Sequence, residues 1–244
     1  MSRRSASGGG KRIGAGRLRV DAGRAVAKLR EYQLPDPTAW VLEVVRAAVA
    51  KGAKRVRVFG DADDLWIGWE GPPPEEAHLK ELLHELVSPA PEEARRWLRL
   101  MAIGVNTALG LAPRFVDVYR VPAEGLATRV RYTPELLEPK GDEGVALRGL
   151  ATESVPAPTD LPAPGGAVHV RRKPSFDVVR RFLAADWLPE LPLVRAACDD
   201  CRVPVEVLGD TLERARSRRD LIRVQLGLGL DGFVAITDPR ATPG

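Results

Sequence analysis

The hydrophobic pattern is clearest in the segment that opens with Asp36 and Pro37. An acidic N-cap followed by proline at the first helical position is a typical helix start. Apolar residues then recur at helical spacing until Gly52, which suits the position just after a helix end. The pattern predicts a helix over about residues 37–51, and a similar pattern predicts a shorter helix over 21–33.

Alternating apolar and polar positions predict a strand at 55–59, the acidic residues 61–64 predict a turn, and 65–69 is the return strand of the hairpin. Gly71 and the prolines after it bring the return strand to an end. The order of the elements is not a repeating strand–helix–strand pattern. It predicts an α+β fold, a two-layer sandwich with a mixed sheet covered on one face by helices. The remaining predicted elements are a strand at 18–20, helices at 75–87, 92–110, 175–185 and 212–219, a connection at 190–198, strands at 115–119, 128–132, 168–172 and 203–208, a long excursion at 133–164, and a strand pair around 229–236.

The composition divides the chain into a basic leader, a main domain and an extension. Of the 244 residues, 44% are hydrophobic, which is enough to build a core. Residues 1–16 are rich in Gly, Ser and Arg and predict a disordered basic leader, followed by a domain at 17–210 and an extension at 211–244. No apolar run approaches the roughly 18 residues that a membrane span needs, and no apolar signal segment follows the basic N-terminus. We therefore expect a cytoplasmic protein with no membrane partner.

Four short segments offer candidate chemistry, at residues 40–53, 67–71, 102–108 and 165–170. In this order they resemble the sequence boxes of the GHKL superfamily, and in particular the amino-terminal ATP-binding domain of the ninety-kilodalton heat-shock chaperones. The resemblance extends over about residues 18–208. It implies the Bergerat version of the two-layer sandwich and a site for ATP.

The first segment resembles the family helix in which a Glu activates the attacking water and an Asn four residues later supplies an oxygen ligand to magnesium. Residues at this spacing lie on one helix face, so both groups point at the same phosphate. Glu43 matches the family Glu, whereas Ala47 stands at the Asn position. The simpler interpretation is that Glu43 forms only a surface ion pair with Arg46, three residues later.

The second segment resembles the D-x-G box, whose Asp accepts a hydrogen bond from the adenine amino group and whose Gly lets the backbone approach the ligand. Gly71 matches this glycine. Trp69 stands at the Asp position, with Glu70 beside it. A one-residue bulge would let Glu70 take the role of the Asp. The other interpretation is that Trp69 fills a core or a pocket.

The third segment resembles the G-x-G-x-x-S-A stretch, whose backbone lies near the phosphates. Gly104 is kept, Asn106 replaces the second glycine, and Thr107 follows it. In the other interpretation, Gly104 only lets two helices pack closely, and Asn106 is a polar neighbour without a role in a site. The fourth segment resembles the strand G-T-x-I-x-L, in which Thr supports the adenine-binding Asp. Gly166 stands at the Thr position and is consistent with the loss of that Asp.

These replacements predict weak or absent ATP hydrolysis. Losing the adenine contact and the magnesium ligand together costs several kcal/mol, or roughly a thousandfold in affinity. We expect ATP to bind weakly at most, with no secure magnesium site. The function implied is chaperone-like or regulatory, exerted by binding a protein client or partner, with a homodimer as one arrangement.

Two alternatives stay open. In the first, the protein is an active magnesium-dependent ATPase that uses Glu43 as the base and Glu70 for adenine. In the second, it is a nucleic-acid-associated module, since its net charge is +4 and the leader is basic. A separate motif, Cys198-Asp-Asp-Cys201, has the spacing of a metal knuckle. Zinc needs about four ligands, and the chain has no second cysteine pair, so we predict thiols near a core strand.

Overall fold

Eight strands form one sheet in the computed structural model, and a separate hairpin follows near the end of the chain. The structure describes residues 22–89, 93–137, 150–173, 188–199, 201–212, 221–226 and 230–235. The strands are β1 (Arg55–Gly60), β2 (Asp64–Glu70), β3 (Phe115–Val121), β4 (Ala127–Tyr132), β5 (Glu153–Val155), β6 (Gly165–Arg171), β7 (Val205–Val207), β8 (Asp210–Thr211), β9 (Leu221–Leu226) and β10 (Leu230–Ala235). The α-helices are α1 (Ala22–Tyr32), α2 (Trp40–Ala50), α3 (Glu76–Lys80), α4 (Arg96–Gly110) and α5 (Glu190–Cys198).

The main sheet has the order β5-β4-β3-β6-β2-β1-β7-β8. Its neighbouring strands run antiparallel except β1 and β7, which are parallel. Buried side chains from α1, α2, α4 and α5 form one apolar cluster with one face of this sheet. The predicted α+β two-layer sandwich is therefore confirmed. No helix in the described part of the chain has the length and apolar character needed to cross a membrane.

The start of α2 follows from its sequence. The Asp36 carboxylate accepts hydrogen bonds from the backbone N–H of Thr38 at 2.9 Å and from its hydroxyl at 2.6 Å. The first turn, Pro37–Ala39, is a 3₁₀ turn, so the α-helix itself begins at Trp40. Gly52 follows the helix with a φ of +95°, a conformation that glycine adopts without steric cost.

Other predicted elements differ in length. The helix expected over 75–87 is the short α3 followed by a 3₁₀ segment, Leu82–Val87. The predicted connection at 190–198 is the helix α5, and the excursion after β4 contains β5, which extends the edge of the sheet. The predicted leader, the strand at 18–20 and the helix at 175–185 lie outside the described residues, as does nearly all of the helix at 212–219. The late strand pair is the β9–β10 hairpin.

Strand β2 separates two environments. Leu65, Ile67 and Trp69 belong to the cluster beneath the helices. Because successive side chains in a strand alternate between faces, Trp66 and Glu70 point to the opposite face, here called the outer face. This alternation decides which residues of the second segment can reach the helix layer.

Candidate functional site

Trp69 lies at the centre of the region where the resemblance places a nucleotide. Its side chain is 0% exposed, and it shares a buried cluster with Val44, Ala47 and Ala48 of α2. The indole Nε1 is buried and has no hydrogen-bond partner within the described residues. Trp69 therefore acts as an apolar filler between sheet and helix, in agreement with the second interpretation of this residue.

Gly166 is the cross-strand partner of Trp69. A Cβ atom placed on Gly166 would lie 2.4 Å from Cζ2 and 2.8 Å from Cη2 of the Trp69 ring, and 2.9 Å from the carbonyl oxygen of Tyr119. These distances are far below ordinary contacts of about 3.5–4.0 Å between carbon atoms. The indole ring thus covers Gly166 so closely that only glycine fits beneath it.

Glu43 and Ala47 lie on α2 as the segment predicts. The Glu43 carboxylate accepts a hydrogen bond from the Arg46 guanidinium at 2.8 Å, so the simpler ion-pair interpretation describes its contact. Ala47 is 0% exposed within the apolar cluster. A hard cation such as magnesium needs oxygen ligands, and Ala47 places a methyl group where the family has an amide.

Glu70 does not share the direction of Trp69. The pairing of β2 with β1 and with β6 continues without a bulge through Glu70, so the bulge considered from the sequence is absent. Glu70 therefore points to the outer face. Gly71 has a φ of +148°, and a Cβ there would lie 3.0 Å from the carbonyl oxygen of Gly52 and 3.1 Å from Cα of Ala53. In this structure Gly71 serves the close approach of two backbone segments.

The third segment lies inside α4, where it begins at Ala102, well after the first turn of the helix. Its backbone N–H groups belong to the intrahelical ladder, whereas a phosphate loop leaves such groups open to a ligand. Gly104 packs on α2, because a Cβ there would lie 2.7 Å from Cγ2 of Val44 and 3.1 Å from the carbonyl oxygen of Trp40.

Asn106 faces α1 instead of the region around Trp69. Its side-chain nitrogen donates to the carbonyl oxygen of Val26 at 3.2 Å and to the Gln33 side chain at 3.4 Å. Its side-chain oxygen accepts from Arg30 at 3.5 Å. The neighbouring Thr107 is 2% exposed, and its hydroxyl has no hydrogen-bond partner among the described residues. The amide of Asn106 therefore attaches α1 to α4.

The structure thus brings together one group of the predicted residues and separates the others. Trp69, Gly166 and Ala47 lie in one layer between β2, β6 and α2. Glu70 faces the other side of the sheet, and the Asn106 amide bonds to α1. No group of three or more His, Cys, Asp or Glu side chains suited to a metal ion occurs among the residues that the structure describes.

A polar cluster on the outer face was not among the site residues predicted from the sequence. Asp117 is 0% exposed and accepts two hydrogen bonds from Arg131, each 2.8 Å long. His169, its cross-strand neighbour on β6, stacks on Trp66 with ring centroids 3.8 Å apart. The signal was present as polar residues at alternate strand positions. Recognising it requires the order β4-β3-β6-β2, which does not follow the order of the sequence.

In the outer cluster, each carboxylate lies beside an arginine: Asp117 beside Arg131, and Asp64 beside Arg171. Burial lowers the pKa of His169 to about 4, so its imidazole is neutral at neutral pH. The Asp64 carboxylate contacts Nε2 of His169 but also contacts the Arg171 guanidinium. The buried Asp117 carboxylate acts to raise the pKa of His169, but Arg131 and Arg129 act against it, so burial remains the dominant influence on this pKa.

A second buried network anchors α5. The Glu190 carboxylate is 1% exposed and accepts hydrogen bonds from the Trp40 indole N–H at 3.2 Å and from Arg172 at 2.6 Å. These contacts join the first turns of α2 and α5 to the residue after β6. The hydrogen bonds of Glu190 therefore hold these three elements together and do not belong to the predicted site.

Comparison with known proteins gives similarity in structure but not in sequence family. No family model matches the chain, and no curated protein matches it. Among solved structures, the chain is similar to the N-terminal domain of a DNA repair protein, with a TM-score of 0.48 and 12% sequence identity. The match covers 84% of this chain and 65% of that one. A similarity of this degree identifies neither an activity nor a ligand.

Proposed function

We propose that this protein is a degenerate GHKL-type domain that does not turn over ATP and acts by binding a protein client or regulatory partner. The observation that carries the proposal is the buried Trp69 ring lying against Gly166. The order of the four segments supports the family assignment. At the position of the adenine-binding Asp of the family this chain has Trp69, and at the position of the supporting Thr it has Gly166. The Trp69 ring occupies the space that a side chain at Gly166 would need.

The surroundings of Trp69 support the same conclusion. Ala47 supplies no oxygen ligand and is sealed in the apolar cluster, so the residues present do not suit magnesium. Glu43 is paired with Arg46, and the backbone of the third segment is engaged within α4. A nucleotide would have to displace a fully buried indole ring, which costs about 3–5 kcal/mol if the loss of its packing resembles that of a Trp→Ala change.

Steady-state ATP hydrolysis with magnesium tests the absence of turnover. We expect wild-type protein and the Glu43→Ala variant to release phosphate at the same background rate, because Glu43 is not the base of a functioning site. Arg46→Ala serves as a matched control, since it removes the other half of the ion pair on the same helix. Magnesium-dependent turnover that Glu43→Ala abolishes would refute the proposal.

The second part of the proposal concerns the partner. Between β2 and α4 the described residues include only the short α3 and two 3₁₀ segments, which favours a static module over one with a large ATP-driven lid. We expect the protein to suppress aggregation of a chemically unfolded model enzyme equally well with and without ATP. No suppression would contradict the chaperone-like role, and suppression only with ATP would contradict the nucleotide-independent one.

A further inference from the structure

The two cysteines of the chain lie where α5 leads into β7. Cys198 is the last residue of α5 and is 7% exposed, whereas Cys201 is half-buried in the connection that follows. Neither cysteine is in a disulfide. The helix α5 that carries Cys198 contacts β7, which lies near the β8 edge of the sheet.

The backbone already holds the cysteines at a spacing that a disulfide can bridge. The N–H of Cys201 donates to the carbonyl oxygen of Cys198 at 3.0 Å. A turn closed by such a bond keeps its first and fourth Cα atoms within about 7 Å. Disulfides join Cα atoms about 4.4–6.8 Å apart. Linking these two sulfurs therefore requires little movement of the chain.

Both cysteines also line a cavity of about 350 Å³. Its walls include Val203, Pro204 and Leu212, so the thiols lie on a concave and largely apolar surface. Cavities that bind small molecules have volumes of about 300–1,000 Å³. The cavity is therefore large enough to admit part of a small thiol reagent beside the two sulfurs.

We propose that Cys198 and Cys201 form a thiol–disulfide exchange site, which a low-molecular-weight disulfide such as oxidised glutathione converts into an intramolecular disulfide. In the first step, the Cys201 sulfur loses its proton and attacks one sulfur of the reagent, which releases one thiol. The Cys198 sulfur then loses its proton and attacks Sγ of Cys201, which releases the second thiol. Two protein thiols are oxidised and one reagent disulfide is reduced.

The order of the two steps follows from the surroundings of the sulfurs. Cys201 is the more exposed residue and meets the reagent first. Burial raises the pKa of Cys198 to about 11, so this thiol is protonated at neutral pH and is the weaker initial nucleophile. Once the mixed disulfide has formed three residues away, proximity favours attack by Cys198. The new bond ties the end of α5 to the connection before β7 and replaces two thiols in the cavity wall.

Incubation of the full chain with oxidised glutathione, followed by intact-mass measurement and thiol titration, tests this site. Because the sequence contains two cysteines, the loss of both thiols from a monomer of otherwise unchanged mass identifies a disulfide between them. We expect wild-type protein to lose both thiols and two hydrogen atoms, to retain no glutathione, and to recover fully with dithiothreitol. The Cys198→Ser variant is expected to accumulate glutathione on Cys201, whereas Cys201→Ser reacts much more slowly.

Three results would overturn the proposal. The first is a glutathione adduct that persists on wild-type protein, which would show that Cys198 does not reach Cys201. The second is a disulfide-linked dimer in place of the intramolecular bond. The third is retention of both thiols under conditions that oxidise a short Cys-x-x-Cys reference peptide. The wild-type measurements decide these outcomes without depending on the folding of either variant.

Discussion

Replacing Gly166 by alanine is expected to destabilise the protein because the indole ring of Trp69 covers this position. The added Cβ would lie 2.4 Å from Cζ2, more than 1 Å closer than the roughly 3.5 Å of an ordinary carbon contact. Trp69 is fully buried, and the carbonyl oxygen of Tyr119 lies 2.9 Å away on the other strand, so neither neighbour can yield freely. Overpacking of this kind lowers the free energy of unfolding by about 1–3 kcal/mol.

Urea-induced unfolding followed by circular dichroism measures this effect. We expect the unfolding midpoint to fall while the dependence on urea concentration stays unchanged, since the mutation alters stability and not the surface exposed on unfolding. For a domain of this size, each kcal/mol corresponds to about 2–4 °C in the thermal midpoint.

Trp69→Phe provides the matched background, because phenylalanine lacks the outer indole atoms Cζ2 and Cη2 that lie over Gly166. In that background Gly166→Ala should cost less by about 1 kcal/mol or more, while the contact with the Tyr119 carbonyl persists. An equal cost in both backgrounds, or no cost in wild-type protein, would refute the packing of Trp69 on Gly166.

Three further predictions concern the buried polar groups. The pKa of His169 is about 4 in the folded chain and 6.5 in the unfolded one, so the unfolded chain binds more protons between these values. Protonation of this group should therefore lower the free energy of unfolding by about 2 kcal/mol from pH 7 to pH 5. In urea unfolding, the His169→Gln variant should lack this decrease in the free energy of unfolding. A pH dependence equal to that of wild-type protein would contradict the prediction. Glu190→Gln removes the buried charge opposite Arg172 and should cost about 3 kcal/mol in the same assay, where a loss below about 1 kcal/mol would argue against a structural ion pair. Asn106→Ala removes the side-chain hydrogen bonds to the Val26 carbonyl and to Gln33 and should cost about 1 kcal/mol, with faster amide exchange in α1. Unchanged exchange would show that the amide does not anchor that helix.

Local sequence signals were sufficient to predict the helix and the hairpin around the site. Asp36 caps the helix start as its residue type predicts, and Gly52 ends α2 with a positive φ. The β1–β2 hairpin follows from the alternation in β1, an apolar return strand and an acidic turn, in which the Asp61 carboxylate accepts from the backbone N–H groups of Asp63 and Asp64. Such features depend on residues within a few positions of one another, so they can be read along the chain.

The chemistry of the site depended on contacts that the sequence order conceals. Gly166 was consistent with a missing Asp, but its steric reason, the Trp69 ring, lies on a strand paired across a gap of almost a hundred residues. The third segment resembled a phosphate loop, whereas Trp97, Met101 and Ala108 are buried at helical spacing and keep it within α4. The position of the Asn106 amide likewise depends on where α1 packs, which no local pattern specifies.

Calorimetric titration of magnesium-ATP into the full chain tests the central claim most directly, because it measures nucleotide binding without requiring turnover. If the Trp69 ring fills the adenine position, nucleotide at millimolar concentration should give no saturable heat, consistent with an affinity roughly a thousandfold below that of an intact site. Saturable binding in the micromolar range that Glu70→Ala abolishes would contradict the account and support the active ATPase.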